Sequence, residues 1–230
     1  DITICSGSNI ALTEAIADHY TTFRWSTSGN GSFSDPTMLH PVYTPSPQDI
    51  SNGTVILTLT GSPVSPCSDY TIDALVLNIS QPPQVNAGSD GTICETSQYY
   101  IFDASASDYS VITWTTMGDG FFSNQNSINP TYTPGPNDRA AGSVLLYLNA
   151  TSLLPCTGDV SDAMELVILP LPNITAGPDA SVCENNTYLL SGATALNYGS
   201  LQWTTSGSGW FSNASVLNPI YTPSSEDILN

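Results

Sequence analysis

The sequence predicts an all-β chain built as tandem β-sandwich domains, on three observations. The first is a strict period: Trp25, Trp114 and Trp203 are spaced 89 residues apart. Cys5, Cys94 and Cys183 keep the same step, as do Cys67 and Cys156, and Tyr43, Tyr132 and Tyr221. Self-similarity at a fixed period marks a repeat architecture. The second is alternation: Val55, Leu57 and Leu59 are interleaved with Ile56, Thr58 and Thr60, and Val144, Leu146 and Leu148 follow suit. Period-two patterning is the signature of a half-buried strand. The third is punctuation: turn residues recur every 8 to 12 positions, and no segment carries a sustained helical stripe.

The elements follow in order along one period. The tryptophan opens a central strand and fills the space between two sheets. The blocks that it starts read WSTSGNGSFS, WTTMGDGFFS and WTTSGSGWFS. Gly29/Gly31, Gly118/Gly120 and Gly207/Gly209 are read as hairpins that need positive φ. Phe33, Phe122 and Phe211 are expected to point inward. Tyr-Thr-Pro at Tyr43, Tyr132 and Tyr221 ends a strand, since proline cannot continue the ladder. The PSPQDI stretch and its copies read as one helical turn. Two alternating strands close the unit, the last carrying Leu75, Leu77 and Ile79, matched by Met164, Leu166 and Ile168. The fold class is therefore all-β, as tandem immunoglobulin-like sandwiches. The tyrosine two residues before the second cysteine of antibody domains is missing, so the likeness stops at that level.

The period sets the expected divisions at residues 1–80, 81–170 and 171–230, with QPP and PLP as linkers. Asp1 aligns with Asp90 and Asp179, so the first repeat is expected to lack its opening strand. Asn230 aligns with Ala141, so the third is expected to stop before its last two strands. The sequence then reads as a window on a longer array; the other reading lets another chain supply those strands.

Charge excludes several partners. Twenty acidic residues face two basic ones, Arg24 and Arg139, for a net charge of -18. Nucleic acid and anionic membrane gain nothing from such a surface. The absence of lysine rules out Lys–Asn isopeptide staples. No run approaches 18 apolar residues, so no membrane insertion is expected.

Catalytic chemistry finds no support, and an enzyme is not expected. His19 and His40 have no counterparts in the other repeats, and no GxSxG signature accompanies them. The cysteines are too far apart for a zinc site. The GxG element has no following helix to form a phosphate loop. No cofactor is expected. If an ion is held it is calcium, with Asp90, Asp138, Asp162 and Asp179 as its candidate ligands; the competing reading has these acids capping turns and short helices.

Five cysteines in an exported protein suggest disulfides. Equal spacings of 62 favour Cys5–Cys67 and Cys94–Cys156, leaving Cys183 unpaired by truncation. The period also permits Cys67–Cys94 and Cys156–Cys183, each 27 apart.

These motifs together resemble a known group. Ala87-Gly88-Ser89-Asp90, Trp114 to Ser123, Asn129 to Asp138, Gly142 to Leu148 and Pro155-Cys156 are similar to the PKD-like and Ig-like repeats of giant secreted Bacteroidetes proteins. The similarity spans the whole chain. It implies tandem spacer repeats of a cell-surface adhesin or extracellular filament, of the type IX secretion and gliding-motility kind. Localisation would be extracellular, at the cell surface. The partners implied are neighbouring repeats of the same chain, other copies in a filament, or host or environmental glycans. Trp210, beside the third hairpin, is the aromatic on which a sugar would stack if the repeats themselves bind.

Overall fold

A computed structural model describes residues 1–229. The first period contains β1 (Ile2–Cys5), β2 (Ile10–Ala11), β3 (Tyr20–Thr27), β4 (Ser32–Phe33), β5 (Val42–Thr44), α1 (Pro47–Asn52), β6 (Thr54–Pro63) and β7 (Thr71–Ser80). The second contains β8 (Gln84–Asn86), β9 (Gly91–Cys94), β10 (Tyr99–Tyr100), β11 (Ser105–Ser107), β12 (Tyr109–Thr116), β13 (Phe121–Phe122), β14 (Thr131–Thr133), α2 (Pro136–Ala141), β15 (Ser143–Ser152) and β16 (Asp159–Leu169). The third contains β17 (Asn173–Thr175), β18 (Tyr188–Leu189), β19 (Thr194–Leu196), β20 (Trp210–Phe211), β21 (Ile220–Thr222) and α3 (Ser225–Leu229).

The first two periods make the same two layers, and among the described residues the third forms only the smaller sheets β18-β21-β20 and β17-β19. In the first, one sheet has the order β1-β7-β6-β3 and the other β2-β5-β4. In the second the orders are β12-β15-β16-β9 and β10-β14-β13, with β8 paired to β11 beside them. β1 lies parallel on β7, with Ile2 opposite Leu77 and Cys5 opposite Ser80, whereas β3 with β6, β6 with β7, β12 with β15, β15 with β16, β8 with β11 and the strands of the three-stranded sheets pair antiparallel. This is the Greek-key layout of an immunoglobulin-like sandwich, as the alternation predicts.

The core lies between the layers. Trp25, Tyr43, Val55, Leu57, Leu77 and Ile79 are buried in the first period, and Trp114, Tyr132, Leu146, Leu148, Met164 and Leu166 in the second. The predicted helical turn is present in all three copies. In α1, Ser46 caps the first turn by accepting from the Asp49 N–H at 3.1 Å, and Gly53 closes it with φ 73°. Proline at the first helical position suits the turn because its missing N–H would be unpaired there anyway.

By contacts the chain divides into two compact units. One holds residues 1–91 and 98–167, the other residues 92–97 and 168–230.

Two expectations need correction. The hairpin glycines at 29, 31, 118, 120, 207 and 209 do not adopt positive φ. They are glycines because other atoms occupy the space of a side chain. A Cβ on Gly29, Gly118 or Gly207 would strike the carboxylate of Asp49, Asp138 or Asp227, and one on Gly31, Gly120 or Gly209 would strike the hydroxyl of Tyr43, Tyr132 or Tyr221.

The second correction concerns the disulfide. Cys5 is bonded to Cys156, with Cα atoms 4.8 Å apart, so neither Cys5–Cys67 nor Cys94–Cys156 forms. The rival pairs Cys67–Cys94 and Cys156–Cys183 do not form either, because Cys67, Cys94 and Cys183 are free thiols. The parallel register of β1 on β7 is the reason. Cys5 lies opposite the last residue of β7, whereas Cys67 precedes its first residue. Nine strand steps separate those ends by about 30 Å, far beyond the ~7 Å limit for bridged Cα atoms.

Candidate functional site

Two features recur or join: an aspartate turn within each repeat, buried in the first two, and the junction at Cys5–Cys156. The turn is built outward from its carboxylate. Asp49 is 1% exposed and accepts the Tyr43 hydroxyl at 2.8 Å, the Asn30 N–H at 2.9 Å and the Ser46 N–H at 2.9 Å. Asp138 is 3% exposed and accepts Tyr132 O–H at 2.7 Å, Gly135 N–H at 3.0 Å, Gly120 N–H at 3.1 Å and Asp119 N–H at 3.2 Å. Asp227 repeats the arrangement with Tyr221, Ser208 and Ser224. A buried carboxylate is tolerated because fixed donors meet both of its oxygens.

An aromatic chain lies beside the aspartate. Phe33 sits 6.0 Å from Trp25 and 4.9 Å from Tyr43, centroid to centroid. Trp114–Phe122–Tyr132 and Trp203–Phe211–Tyr221 repeat both distances within 0.3 Å. The strand, the hairpin and the turn are thus held by one cluster. The repeated motif encodes that cluster.

Burial alone would push the Asp49 carboxyl up, yet the donors of Ser46, Asn30 and Tyr43 hold it below the usual value. The Ser224 N–H, the Tyr221 hydroxyl and the Ser208 N–H bring Asp227 down to about 2. Desolvation pushes the Tyr132 hydroxyl up to about 12, reinforced by the adjacent Asp138. The second repeat has Gly135 where the others have a capping serine; Asp119 stands in, accepting the Asn137 and Asp138 N–H groups at 3.2 Å.

The other expected acids have separate backbone tasks. Asp90 accepts the Glu165 N–H at 2.7 Å, as Asp1 accepts that of Val76 at 3.1 Å. Asp162 accepts the Ala87 N–H at 2.8 Å. Asp90, Asp138, Asp162 and Asp179 are not drawn together, and no group of three or more His, Cys, Asp or Glu side chains converges among the described residues. His40 meets the Ala15 carbonyl oxygen through its Nε2 at 2.9 Å, and His19 sits in a turn with φ 59°. Trp210 is 59% exposed, as the glycan reading requires.

The junction is assembled from strand ends. β7 finishes at Ser80, and β8 begins at Gln84. Ala87, just past β8, is tied to Asp162 near the start of β16. The entrance of the second repeat therefore lies where β16 begins, and the 153–158 loop ahead of β16 carries Cys156 to it. Cys156 is 1% exposed, and its Sγ lies 3.5 Å from the Ser80 carbonyl oxygen. The same oxygen accepts the Ser6 N–H at 2.8 Å, which brings the end of β1 to the same point. Sequence reasoning missed this pair, although its separation of 151 is one within-repeat step of 62 plus one period of 89.

A cleft of about 320 Å³ opens in the first repeat, lined by Ile2, Leu12, Ala15, Trp25, Leu59 and Asp73 among others. In the second repeat the corresponding place is filled: Ala87 is fully buried there, and the Ser89 N–H donates to Asp103 at 3.1 Å.

No family model and no curated protein matches the chain. Among solved structures, mouse protocadherin-24 EC1-3 is similar over 98% of this chain and 84% of that one, at 12% identity and a TM-score of 0.48. Protocadherin gamma B7 cadherin domains 1-4 match over 97% of this chain at 11% identity and a TM-score of 0.48. This chain spans 65% of that structure's length. That structure is described as extracellular cadherin domains.

Proposed function

We propose that the chain is a run of spacer repeats from a large extracellular adhesin or filament, of the kind its motifs resemble in secreted Bacteroidetes proteins. One observation carries this reading: the residues kept in all three copies serve the frame. Trp, Phe, Tyr and Asp of each motif contact one another, and the outer faces differ between copies. At position 210 stands Trp, but Phe121 and Ser32 take its place in the other repeats. On this reading the units divide near residues 80 and 170, catalysis is not their task, and they hold a binding tip away from a surface. Acidic, lysine-free surfaces keep such a stalk soluble and free of polyanions.

Excising one 89-residue period from the whole protein tests the reading. Adhesion strength per molecule should persist while the stand-off distance shortens. Loss of adhesion in proportion to the repeats removed would sink it. The rival, in which the repeats grip glycans, is favoured by the exposure of Trp210 alone. A Trp210→Ala change that leaves a glycan-array signal unaltered removes that rival.

A further inference from the structure

We propose that Cys67, Cys94 and Cys183 are half-cystines of a disulfide ladder, in which the cysteine closing β1-type strands in one repeat bonds the cysteine before the last strand of the next. The inference deepens the spacer reading and rests on the repeats continuing in series.

The bonded pair defines both halves of each rung. Cys5 is the donor-strand half, at the end of β1. Cys94 and Cys183 are its copies, one and two periods on. The copies share its local geometry as well as its number. A turn follows each: the Ser8 N–H donates to the Cys5 carbonyl at 3.1 Å, Ser97 to Cys94 at 2.9 Å, and Asn186 to Cys183 at 3.1 Å. The Ser6 N–H donates to Ser80 O at 2.8 Å, and the Glu95 N–H to Leu169 O at 2.9 Å. Ser80 and Leu169 are one period apart. Cys94 therefore stands beside the end of β16 as Cys5 stands beside the end of β7. The Leu171 N–H donates to Glu95 Oε1 at 3.1 Å and fixes this corner. Thr96 Oγ1 lies 3.5 Å from Cys94 Sγ and lowers the thiol's pKa, which eases its conversion to the attacking thiolate.

Cys67 is the loop half. It occupies the segment between β6 and β7, as Cys156 occupies the segment between β15 and β16. One rule then places every cysteine. Position n bonds position n plus 151, and only Cys5 has that partner within these residues. Cys94 and Cys183 call for a loop cysteine in a following repeat, and Cys67 for a strand-end cysteine in a preceding one. A rung forms by thiol–disulfide exchange. Two S–H bonds are lost and one S–S bond is made, while a disulfide-bearing oxidant takes two electrons and two protons and becomes a dithiol.

The test is a peptide map of the whole protein, alkylated without reduction and cut with an Asp-specific protease. Cys5–Cys156 should be recovered as a linked pair. Cys94 should be recovered joined to a cysteine 151 residues further along the same chain, with no alkylated Cys94. Alkylated Cys94 in the unreduced protein overturns the ladder. So does a Cys94–Cys67 or Cys94–Cys183 pair, or a Cys94–Cys156 pair accompanied by dimers on a non-reducing gel. In a second arm, Cys156→Ser should expose Cys5 to alkylation without creating a Cys5–Cys67 pair; such a pair would also overturn the rule. None of these outcomes touches the stand-off measurement, so the ladder and the spacer reading fail separately.

Discussion

Trp114 and Trp203 begin nearly identical strings, WTTMGDGFFS and WTTSGSGWFS, yet their backbones differ. Tyr109–Thr116 is a strand paired along its length with Ser143–Ser152, and Trp114 is 1% exposed. Residues 201–205 form no strand, and Trp203 is half-buried. The shorter contacts are the same in both: each indole N–H reaches a backbone carbonyl, Ile128 at 3.3 Å and Val216 at 3.1 Å. The aromatic chain and the aspartate turn also persist in both. What differs is the ladder partner. The third repeat has no described counterpart of β15 or β16. The motif thus specifies the cluster by itself, while the strand exists by pairing. β-propensity measures fit to neighbours more than any backbone preference.

The comparison can be broken in several ways. Reducing Cys5–Cys156 should have the largest effect, up to about 5 kcal/mol on cooperative unfolding of residues 1–167, from the entropy of a loop this long. Denaturant titration with and without reductant measures it. An unchanged midpoint would mean that the two repeats unfold separately.

Trp114→Ala should cost about 4 kcal/mol, the range for large aromatic deletions from a core. Trp203→Ala should cost about half as much, because its cover is incomplete. Equal costs in thermal unfolding would show that the ladder partner adds nothing to the cluster. Fusing a copy of Gly142–Pro170 after Asn230 should then raise the cost at Trp203 toward that at Trp114, with a blue shift of tryptophan emission.

Gly118→Ala should cost about 2 kcal/mol, since a Cβ there displaces the Asp138 carboxylate from its donors. Gly207→Ala drives the same collision with Asp227 and should cost less in the more open repeat. Acid provides the smallest probe. The folded Asp227 carboxyl titrates at about 2, below its ordinary 3.8, so its stabilising contribution is present above pH 4 and is lost as pH falls through 2. Asp227→Asn should flatten that part of the pH–stability curve, read by circular dichroism. An unchanged curve would mean the donors hold the neutral amide equally well.

Much of this was legible in the residues. Alternation placed β6, β7, β15 and β16, and Pro-Ser-Pro spacing placed α1. The turn reading of Asp138 also anticipated its place in the first turn of α2. The burial of Asp138 and of its copy Asp49 was not legible, because donors come from a hairpin 19 residues earlier in the chain. The hairpin glycines misled for the same reason: Gly29 signals positive φ in a local reading, but its cause is the distant Asp49. The disulfide was missed through direction. Equal spacing suggests closure within a repeat, and nothing local reveals that β1 runs parallel to β7. Once it does, Cys5 and Cys67 stand at opposite ends.

A pull on this chain would meet the Cys5–Cys156 bond in an unusual place. Tension entering at residue 1 crosses the sulfurs at residue 5 and leaves at residue 156. The covalent path bypasses the chain between the two sulfurs. Those 151 positions, about 500 Å of chain at full extension, are hidden length that no force short of breaking a covalent bond can pay out. Over that span the tether resists lengthening through its cross-link and not through the strength of its hydrogen bonds.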